Sequence, residues 1–288
     1  MLSSKWLVYI AAGLSIYVIG QSAWERWAWV QQLDATPRIS FLGLLIVSLC
    51  LTANWGLSAF KWQILKQRLG VNDPFLISLK EFISTWFLSF SFPSKLNGVA
   101  LLAEKYPKHK AQVYLGRMLD MWWQMWATLF FAYAFVVSQW SSLWLVLGAC
   151  LLFMFGFALS KSKMMLRFLP WERMKNIAIP QLSLPFASLS VLKYLSFALH
   201  QWYWLQVFVP EMTFIQGLQL LPLYYALVSF VPRMVWSDML VRGSVALVVF
   251  SNFPPEAIMA AIAFHWMIQT AIPAAVGFIL LKSKAWKS

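Results

Sequence analysis

Apolar runs of about 20 residues, separated by short loops rich in Lys and Arg, dominate this sequence, and a helix needs about 20 such residues to cross a bilayer. The runs are 5–23, 39–60, 111–137, 143–159, 188–209 and 256–281. Only 11% of the residues are charged, whereas a soluble domain carries about 25%. The pattern predicts an all-α polytopic membrane protein with about 6–8 transmembrane helices. We expect residues 1–288 to form a single integral membrane domain with no soluble domain.

Two shorter apolar runs are each interrupted by proline. Residues 74–92 end at Pro93, and residues 214–230 end just before Pro232. Proline breaks helices, and broken helices at membrane depth are tolerated where they line a cavity or are buried in protein. We interpret 74–110 as a re-entrant hairpin that returns to the side it left. Residues 213–253 are either a second re-entrant pair or two full spans.

The interrupted runs occupy corresponding places in two halves of the chain, about 39–160 and 188–281. Such paired interruptions point to the binding site of an inverted-repeat transporter. We therefore predict an inverted repeat whose two halves each contribute a broken helix to one site.

The net charge of +13 is concentrated in the loops 61–73, 93–110 and 161–176 and in the C-terminal tail. The positive-inside rule places these segments in the cytoplasm, together with both termini. The first run, 5–23, has no convincing cleavage site and is interpreted as a retained helix. We expect a multi-pass protein of the inner (cytoplasmic) membrane whose basic loops meet anionic lipids, and not a nucleic-acid-binding protein.

Charged residues inside apolar runs are expensive in a bilayer and are functional by default. The stretch 230–251 carries three of them, and the first half of the chain has a weaker counterpart. The predicted lipid-binding residues are Arg233, Arg242, Asp238, Lys95, Arg117, Asp120, Gln124, Asn54, Lys61 and Asn97. Their cations outnumber their acids, which suits a phosphate headgroup because Arg binds phosphate through two hydrogen bonds. Replacing Arg233 or Arg242 with Ala should abolish lipid transport or binding.

Local pairing is the alternative for four of these residues. Arg117 and Asp120 are three residues apart, and Asp238 and Arg242 are four apart, so each pair would share one helix face. In that case the charges neutralise each other and bind no ligand. Arg233 has no partner close in sequence and is the better ligand candidate.

Three further side chains have a structural interpretation. Lys61 lies near the end of a span and can extend its ammonium to the interface. His200 and His265 are single polar residues on apolar helices, where a hydrogen bond between helices is the favoured reading.

The chain lacks the residue patterns of membrane enzymes. It has only ten acidic residues and no D-x-x-D or E-x-x-H pattern, nucleophile elbow or Gly-rich phosphate loop. Cys50 and Cys150 lie in apolar runs and are interpreted as small hydrophobic residues. We therefore expect no enzymatic activity, metal or cofactor.

Four short motifs, spread in order over nearly the whole chain, are similar to those of one known family. They are Asn54-Trp55 with Lys61-Trp62, Pro93-Ser94-Lys95-Leu96, Gln124 with Thr128, and Val241-Arg242-Gly243-Ser244. With these motifs the chain resembles the lysylphosphatidylglycerol synthase transmembrane-region family of flippase-like membrane proteins. The resemblance implies a helical membrane domain with re-entrant segments that binds or moves a lipid. The soluble aminoacyl-transferase domain of the bifunctional relatives has no counterpart in these residues.

The chain departs from the family pattern at several positions. Ser58 stands where related sequences often have Glu, and Gly98 where they often have an acid. Asp238 and Leu240 stand where they commonly have Glu and Gly. Either the site is degenerate or it prefers a more anionic ligand, and Arg242 then carries more weight than Asp238.

These interpretations lead to two functions of different class. The first is a lipid flippase or transporter that moves an anionic phospholipid or a polyprenyl-phosphate-linked lipid between leaflets. The alternative is a non-transporting accessory protein for a lipid-dependent glycosyltransferase or another enzyme of cell-envelope synthesis. The residues leave open which lipid is bound, the energy source and the oligomeric state.

Overall fold

A computed structural model of the chain describes residues 39–91, 96–138, 148, 179–230 and 235–282. The regular structure of these residues is entirely helical, which confirms the all-α prediction. The helices are α1 (Phe41–Arg68), α2 (Phe75–Ser91), α3 (Leu96–Lys105), α4 (Lys110–Ser138), α5 (Ile179–Phe208), α6 (Phe214–Phe230), α7 (Val235–Val249), α8 (Pro255–Trp266) and α9 (Ile272–Lys282). A 3₁₀ turn, Pro107–His109, precedes α4, and a π-helical turn, Met267–Ala271, joins α8 to α9.

Helix α1 is longer than its apolar run predicts. It begins where the Ser40 hydroxyl accepts a hydrogen bond from the Gly43 N–H, the usual N-cap arrangement. It continues eight residues past the predicted end at 60, up to Arg68. The basic residues of the last two turns do not end the helix, because Lys61 and Lys66 are buried against acids of neighbouring helices.

Helices α2 and α3 form a hairpin. The Lys105 Nζ at the end of α3 lies 3.2 Å from Glu81 Oε1 on α2, and the Tyr106 hydroxyl donates to the same carboxylate over 2.7 Å. The chain therefore comes back beside the first turns of α2, as a returning hairpin requires. The break at Pro93 lies outside the described residues.

The described helices fall into two sets with the same order: a long helix, a 17-residue helix, a short helix and a long helix. The first set is α1–α4 and the second is α5–α9, counting α8 and α9 as one helix with a π turn. Packing between the sets is reciprocal, because α2 packs against α9 and α6 packs against α4, while α1 packs against α5. Two hydrophobic clusters of buried side chains each draw mainly on one set but cross to the other, through Val47 and Ala127 in one cluster and Leu182, Phe186 and Ala187 in the other.

A close backbone approach fixes the contact between α2 and α9. A Cβ atom at Gly277 would lie 2.5 Å from the carbonyl oxygen of Ile83 and 3.3 Å from the amide nitrogen of Phe87. Only glycine fits at this crossing without moving the backbone of α2.

The π-helical turn has a local cause in the sequence. Pro273 has no N–H and cannot donate to the carbonyl of Gln269, four residues earlier. The preceding Ile272 N–H instead reaches back five residues to the Met267 carbonyl. Single π turns are frequent at functional sites, and this one holds the buried side chain of Gln269.

The described helices expose many large apolar side chains and bury several charged ones. Large apolar side chains are exposed along the helices, including Phe41 (84% exposed), Leu240 (69%) and Val248 (73%). The side chains of Lys61 and Lys66 are instead fully buried. Two described helices, Phe41–Arg68 and Pro255–Leu281, are long and apolar enough to cross a bilayer. The larger number of crossings stays a prediction.

Candidate functional site

A buried ionic cluster joins α1, α4 and α5. Lys61 Nζ lies 2.6 Å from Asp120 Oδ1 and donates to the Ser190 hydroxyl over 2.9 Å. Arg117 donates to the other oxygen, Asp120 Oδ2, over 2.8 Å. The prediction that Lys61 extends to an interface is wrong, because its ammonium is held inside the protein by partners on two other helices.

This ionic cluster carries an excess of positive charge. Lys61 and Arg117 supply two cations against the single carboxylate of Asp120, and the charge of Lys193 also acts on Asp120. Arg117 Nε is buried and has no hydrogen-bond partner among the described residues. The local Arg117–Asp120 pair that the sequence offered as an alternative does form, but it leaves a net cation with an unused donor.

The second predicted group of charges forms a compact pair on α7. Arg242 Nε donates to Asp238 Oδ2 over 2.8 Å, and the indole N–H of Trp266 on α8 donates to the same oxygen over 3.1 Å. The four-residue spacing brought these two charges together, as local pairing predicts. The indole of Trp266 was not anticipated from the sequence.

One pair of amides and one pair of imidazoles also join buried side chains of different helices. The Asn54 amide donates to Gln269 Oε1 over 2.7 Å, which links α1 to the π turn. One turn earlier on α8, His265 Nδ1 lies 2.8 Å from His200 Nδ1 on α5. The expected hydrogen bond between helices is thus present, and each histidine is the partner of the other.

A polar seam therefore runs through the apolar core. On α1 the buried side chains of Asn54, Ser58 and Lys61 lie on one face and span about 10 Å at 1.5 Å per residue. Gln269 meets one end of this row and Asp120 meets the other. The seam connects three predicted site residues of the first half, Asn54, Lys61 and Asp120, to Gln269 of the second half, which sequence reasoning had not singled out.

A second buried cluster was missed by sequence reasoning. Glu81 accepts hydrogen bonds from Lys66 (2.9 Å), the Trp62 indole (2.7 Å) and the Tyr106 hydroxyl (2.7 Å). Lys66 also lies 2.8 Å from Asp73. The cluster fastens the end of α1 to the α2–α3 hairpin. An acid inside the short apolar run 74–92 was the signal that could have revealed it.

At the loop end of this cluster, the pKa values of Asp73 and Tyr106 are shifted. The hydrogen bond from Lys66 holds the pKa of Asp73 below its usual range, against the opposing effect of burial. Burial raises the pKa of Tyr106, and the hydrogen bond to Glu81 adds to the effect. Asp73 therefore stays ionised and Tyr106 stays protonated at neutral pH.

The remaining predicted site residues are Arg233, Lys95, Asn97 and Gln124. Arg233, Lys95 and the side chain of Asn97 lie outside the described residues, as do the predicted helices 5–23 and 143–159. Gln124 is described, and its Oε1 is buried without a hydrogen-bond partner among the described residues. It lies one turn beyond Asp120 on α4, on the face that carries the ionic cluster.

The part of the chain that is described holds no group of three or more His, Cys, Asp or Glu side chains arranged for a metal ion. No family model matches the chain, and no curated protein or solved structure matches it either. The family resemblance of the sequence motifs therefore stays a prediction, and the geometry of the site carries the functional argument.

Proposed function

We propose that the protein is a multi-pass membrane protein that binds an anionic lipid headgroup in the polar seam and moves the lipid between leaflets. The observation that carries the proposal is a fully buried cation inside a molecule whose exposed surface is apolar. Lys61 and Arg117 supply the charge, and side chains such as Phe41 and Leu240 supply the apolar exterior.

The exposed apolar side chains and the buried charges support a bilayer as the surroundings of this protein. In water, exposed side chains such as Leu240 and Val248 would form apolar patches that soluble proteins avoid. In a bilayer the same side chains contact lipid tails, and the buried charges face the bundle interior, which is where intramembrane charges are normally found.

The charge of the ionic cluster supports an anionic ligand. Two cations, one carboxylate and an unused guanidinium N–H leave a net attraction for an oxyanion. A guanidinium can offer two parallel donors to a phosphate, which makes Arg117 the primary ligand candidate. At Arg242 the acid Asp238 offsets part of the charge, so Arg242 ranks second to Arg117 as a headgroup ligand.

The two-set arrangement supports movement of the bound lipid. An inverted repeat with broken helices can open a central site to either side by rocking one half against the other. The equal order of helix lengths and the reciprocal contacts of α2 with α9 and α6 with α4 are what such a repeat requires.

A headgroup-accessibility assay tests this proposal. Protein in phosphatidylcholine vesicles should speed the exposure of a fluorescent phosphatidylglycerol from the inner leaflet to an external quencher. Arg117→Gln should slow this exposure about tenfold or more, as expected for the loss of a charge-assisted contact of 1.5–3 kcal/mol. Lys108→Gln, on the exposed 3₁₀ turn, is the matched control and should transport normally.

Two other results have distinct meanings. Phosphatidylglycerol that binds tightly in native mass spectrometry but does not move would favour the non-transporting accessory protein. Exposure at the rate of protein-free vesicles, with no lipid retained, would contradict both functions.

A further inference from the structure

We propose that the His200–His265 pair is a binding site for a single proton, linked to the binding of an anionic phospholipid headgroup at the neighbouring Arg242. The proton site itself stands on the geometry of the pair. Its link to the headgroup rests on the proposed function.

The geometry of the pair requires one shared hydrogen. The two Nδ1 atoms are 2.8 Å apart, so one must donate and the other must accept. The two neutral rings then differ in tautomer: the donor ring has a lone pair on Nε2, and the acceptor ring has a hydrogen on Nε2. The pair thus presents one acceptor and one donor at its outer nitrogens.

Those outer nitrogens are not used by the protein. Nε2 of His200 and Nε2 of His265 are both buried and have no hydrogen-bond partner among the residues described. Each ring is almost fully buried, with an exposed fraction of 0% for His200 and 1% for His265. In the neutral pair these two nitrogens therefore offer one lone pair and one N–H that the described residues leave unused.

The pair binds one proton without breaking its hydrogen bond. A proton added to the free Nε2 lone pair turns the donor ring into an imidazolium, whose Nδ1–H still points at the neutral acceptor. The bond becomes charge-assisted and therefore stronger. A second proton would have to occupy the accepting Nδ1, which removes the bond and places two cations side by side. The capacity of the pair is one proton.

The place of the pair in the fold supports a charge-carrying role. Asp120 is the eleventh residue of α4, and His265 is the eleventh residue of α8. Lys61 reaches Asp120 from α1, and His200 reaches His265 from α5, so in both described sets the partner comes from the first long helix. The histidine pair in the second set thus stands where the Lys61–Asp120 ion pair stands in the first.

The sequence carries the same correspondence. A titratable residue precedes a Gln by four positions in both sets, in Asp120-Met-Trp-Trp-Gln124 and in His265-Trp-Met-Ile-Gln269. The titratable residue is the eleventh residue of its helix in each case, α4 in the first set and α8 in the second. In the first set this position carries the Lys61–Asp120 ion pair. In the second set it carries two histidines, whose charge depends on a bound proton.

A nearby charge influences the binding of a proton to the pair. Arg242 is paired with Asp238, which also accepts a hydrogen bond from Trp266, the residue next to His265, and a positive charge opposes the addition of a proton nearby. An anionic headgroup at Arg242 would offset that repulsion, so proton and headgroup would favour each other's binding. The elements packed around the pair carry the following titratable and charged side chains: Cys50, Lys61, Lys66 and Arg68 on α1; Lys110, Tyr114, Arg117, Asp120 and Tyr133 on α4; Lys193, Tyr194 and Tyr203 on α5; Tyr224 and Tyr225 on α6; Asp238 and Arg242 on α7; and Glu256 on α8.

The chain is well suited to a direct test, because it contains only three histidines. Protein labelled with ¹⁵N-histidine would be placed in phosphatidylcholine nanodiscs with and without phosphatidylglycerol, and its imidazole ¹⁵N signals followed from about pH 8 to pH 5. The third histidine, His109 in the 3₁₀ turn, is removed by His109→Gln, which should leave the other signals unchanged.

We expect His200 and His265 to be coupled through their hydrogen bond and to take up one proton together. With phosphatidylglycerol present, uptake should occur at a pH higher by about one unit, and Arg242→Gln should remove this lipid dependence. His265→Asn keeps a polar group at the position of Nδ1 without a titratable ring, and should abolish the joint uptake.

Signals of wild-type protein that stay neutral and unchanged over the whole range, in both lipids, would overturn the proton site. Uptake that is independent of phosphatidylglycerol would overturn its link to the headgroup. Neither readout depends on transport. A protein that shows lipid-linked proton uptake but moves no lipid would contradict the proposed transport and leave this inference standing.

Discussion

Lys61 is the residue on which the proposed site most depends. Its ammonium is fully buried, 2.6 Å from Asp120 and 2.9 Å from Ser190. Removing one partner of a buried ion pair is costly because the other charge is left uncompensated. Here Arg117 remains beside Asp120 and limits that cost.

We therefore expect Lys61→Met to lower the free energy of unfolding in detergent by about 3 kcal/mol. The double variant Lys61→Met, Asp120→Asn should recover part of the loss, because it removes both charges of the pair. Lys108→Met, an exposed lysine, is the control and should change stability by less than about 0.5 kcal/mol. Equal effects of the two single lysine variants would show that Lys61 is not in a buried ion pair.

Asp73, in the loop between α1 and α2, should make the free energy of unfolding depend on pH. Its folded-state pKa is lowered by the hydrogen bond from Lys66, so its contribution to stability is present above the unfolded pKa of about 4. That contribution is lost as the pH falls through the lower, folded value. The stability difference between wild type and Asp73→Asn, measured by unfolding in detergent, should be constant above about pH 5 and shrink below pH 4. A difference that grows on acidification would reverse the assigned sign.

Residue-level contacts were predictable from the sequence where partners are close along the chain. The Arg117–Asp120 and Asp238–Arg242 pairs follow from spacings of three and four on a helix. The partners of Lys61 and Glu81 could not be found in this way, since they are brought together by the packing of distant helices. For His200 and His265 the sequence indicated a need for a partner, but not that each would be the other's.

At the scale of elements, the contact between α2 and α9 leaves no room for a side chain at Gly277. Gly277 lies against the backbone of Ile83 and Phe87 with no room for a methyl group. Backbone atoms cannot rotate away as a side chain can, so any larger residue must separate the two helices.

We expect Gly277→Ala to lower the free energy of unfolding by about 1–3 kcal/mol, the usual cost of overpacking. Gly56→Ala on α1 is a matched control, because a Cβ there meets nothing within 4 Å. It should stabilise the protein by about 0.5–1 kcal/mol through its helix propensity. Thermal unfolding in the same detergent compares the stabilities of the two variants. Equal changes in stability would show that α9 does not pack closely against the backbone of α2.

Helix positions were predicted better than helix ends. The run 214–230 coincides with α6, and 111–137 differs from α4 by one residue at each end. Helix α1 was underestimated, because hydropathy alone treats lysine as an exit signal and cannot anticipate a buried acid as its partner. The π turn was also missed, although Pro273 supplies a local cause.

At the scale of the whole molecule, the two sets of helices and the exposed apolar side chains belong together. Buried amides, imidazoles and charges link the helices both within and between the sets. The interrupted apolar runs suggested a repeat from the sequence. The alignment of Lys61–Asp120 with His200–His265 needed the register of packed helices.

The central claim is that the cations of the ionic cluster form a headgroup site inside an apolar shell. An experimental structure of the protein in phosphatidylglycerol nanodiscs tests it most directly. We predict phosphate density within about 4 Å of the Arg117 guanidinium, with the acyl chains leaving between the helices. Lipid density confined to the outer surface, with the cluster closed on its own side chains, would contradict the claim.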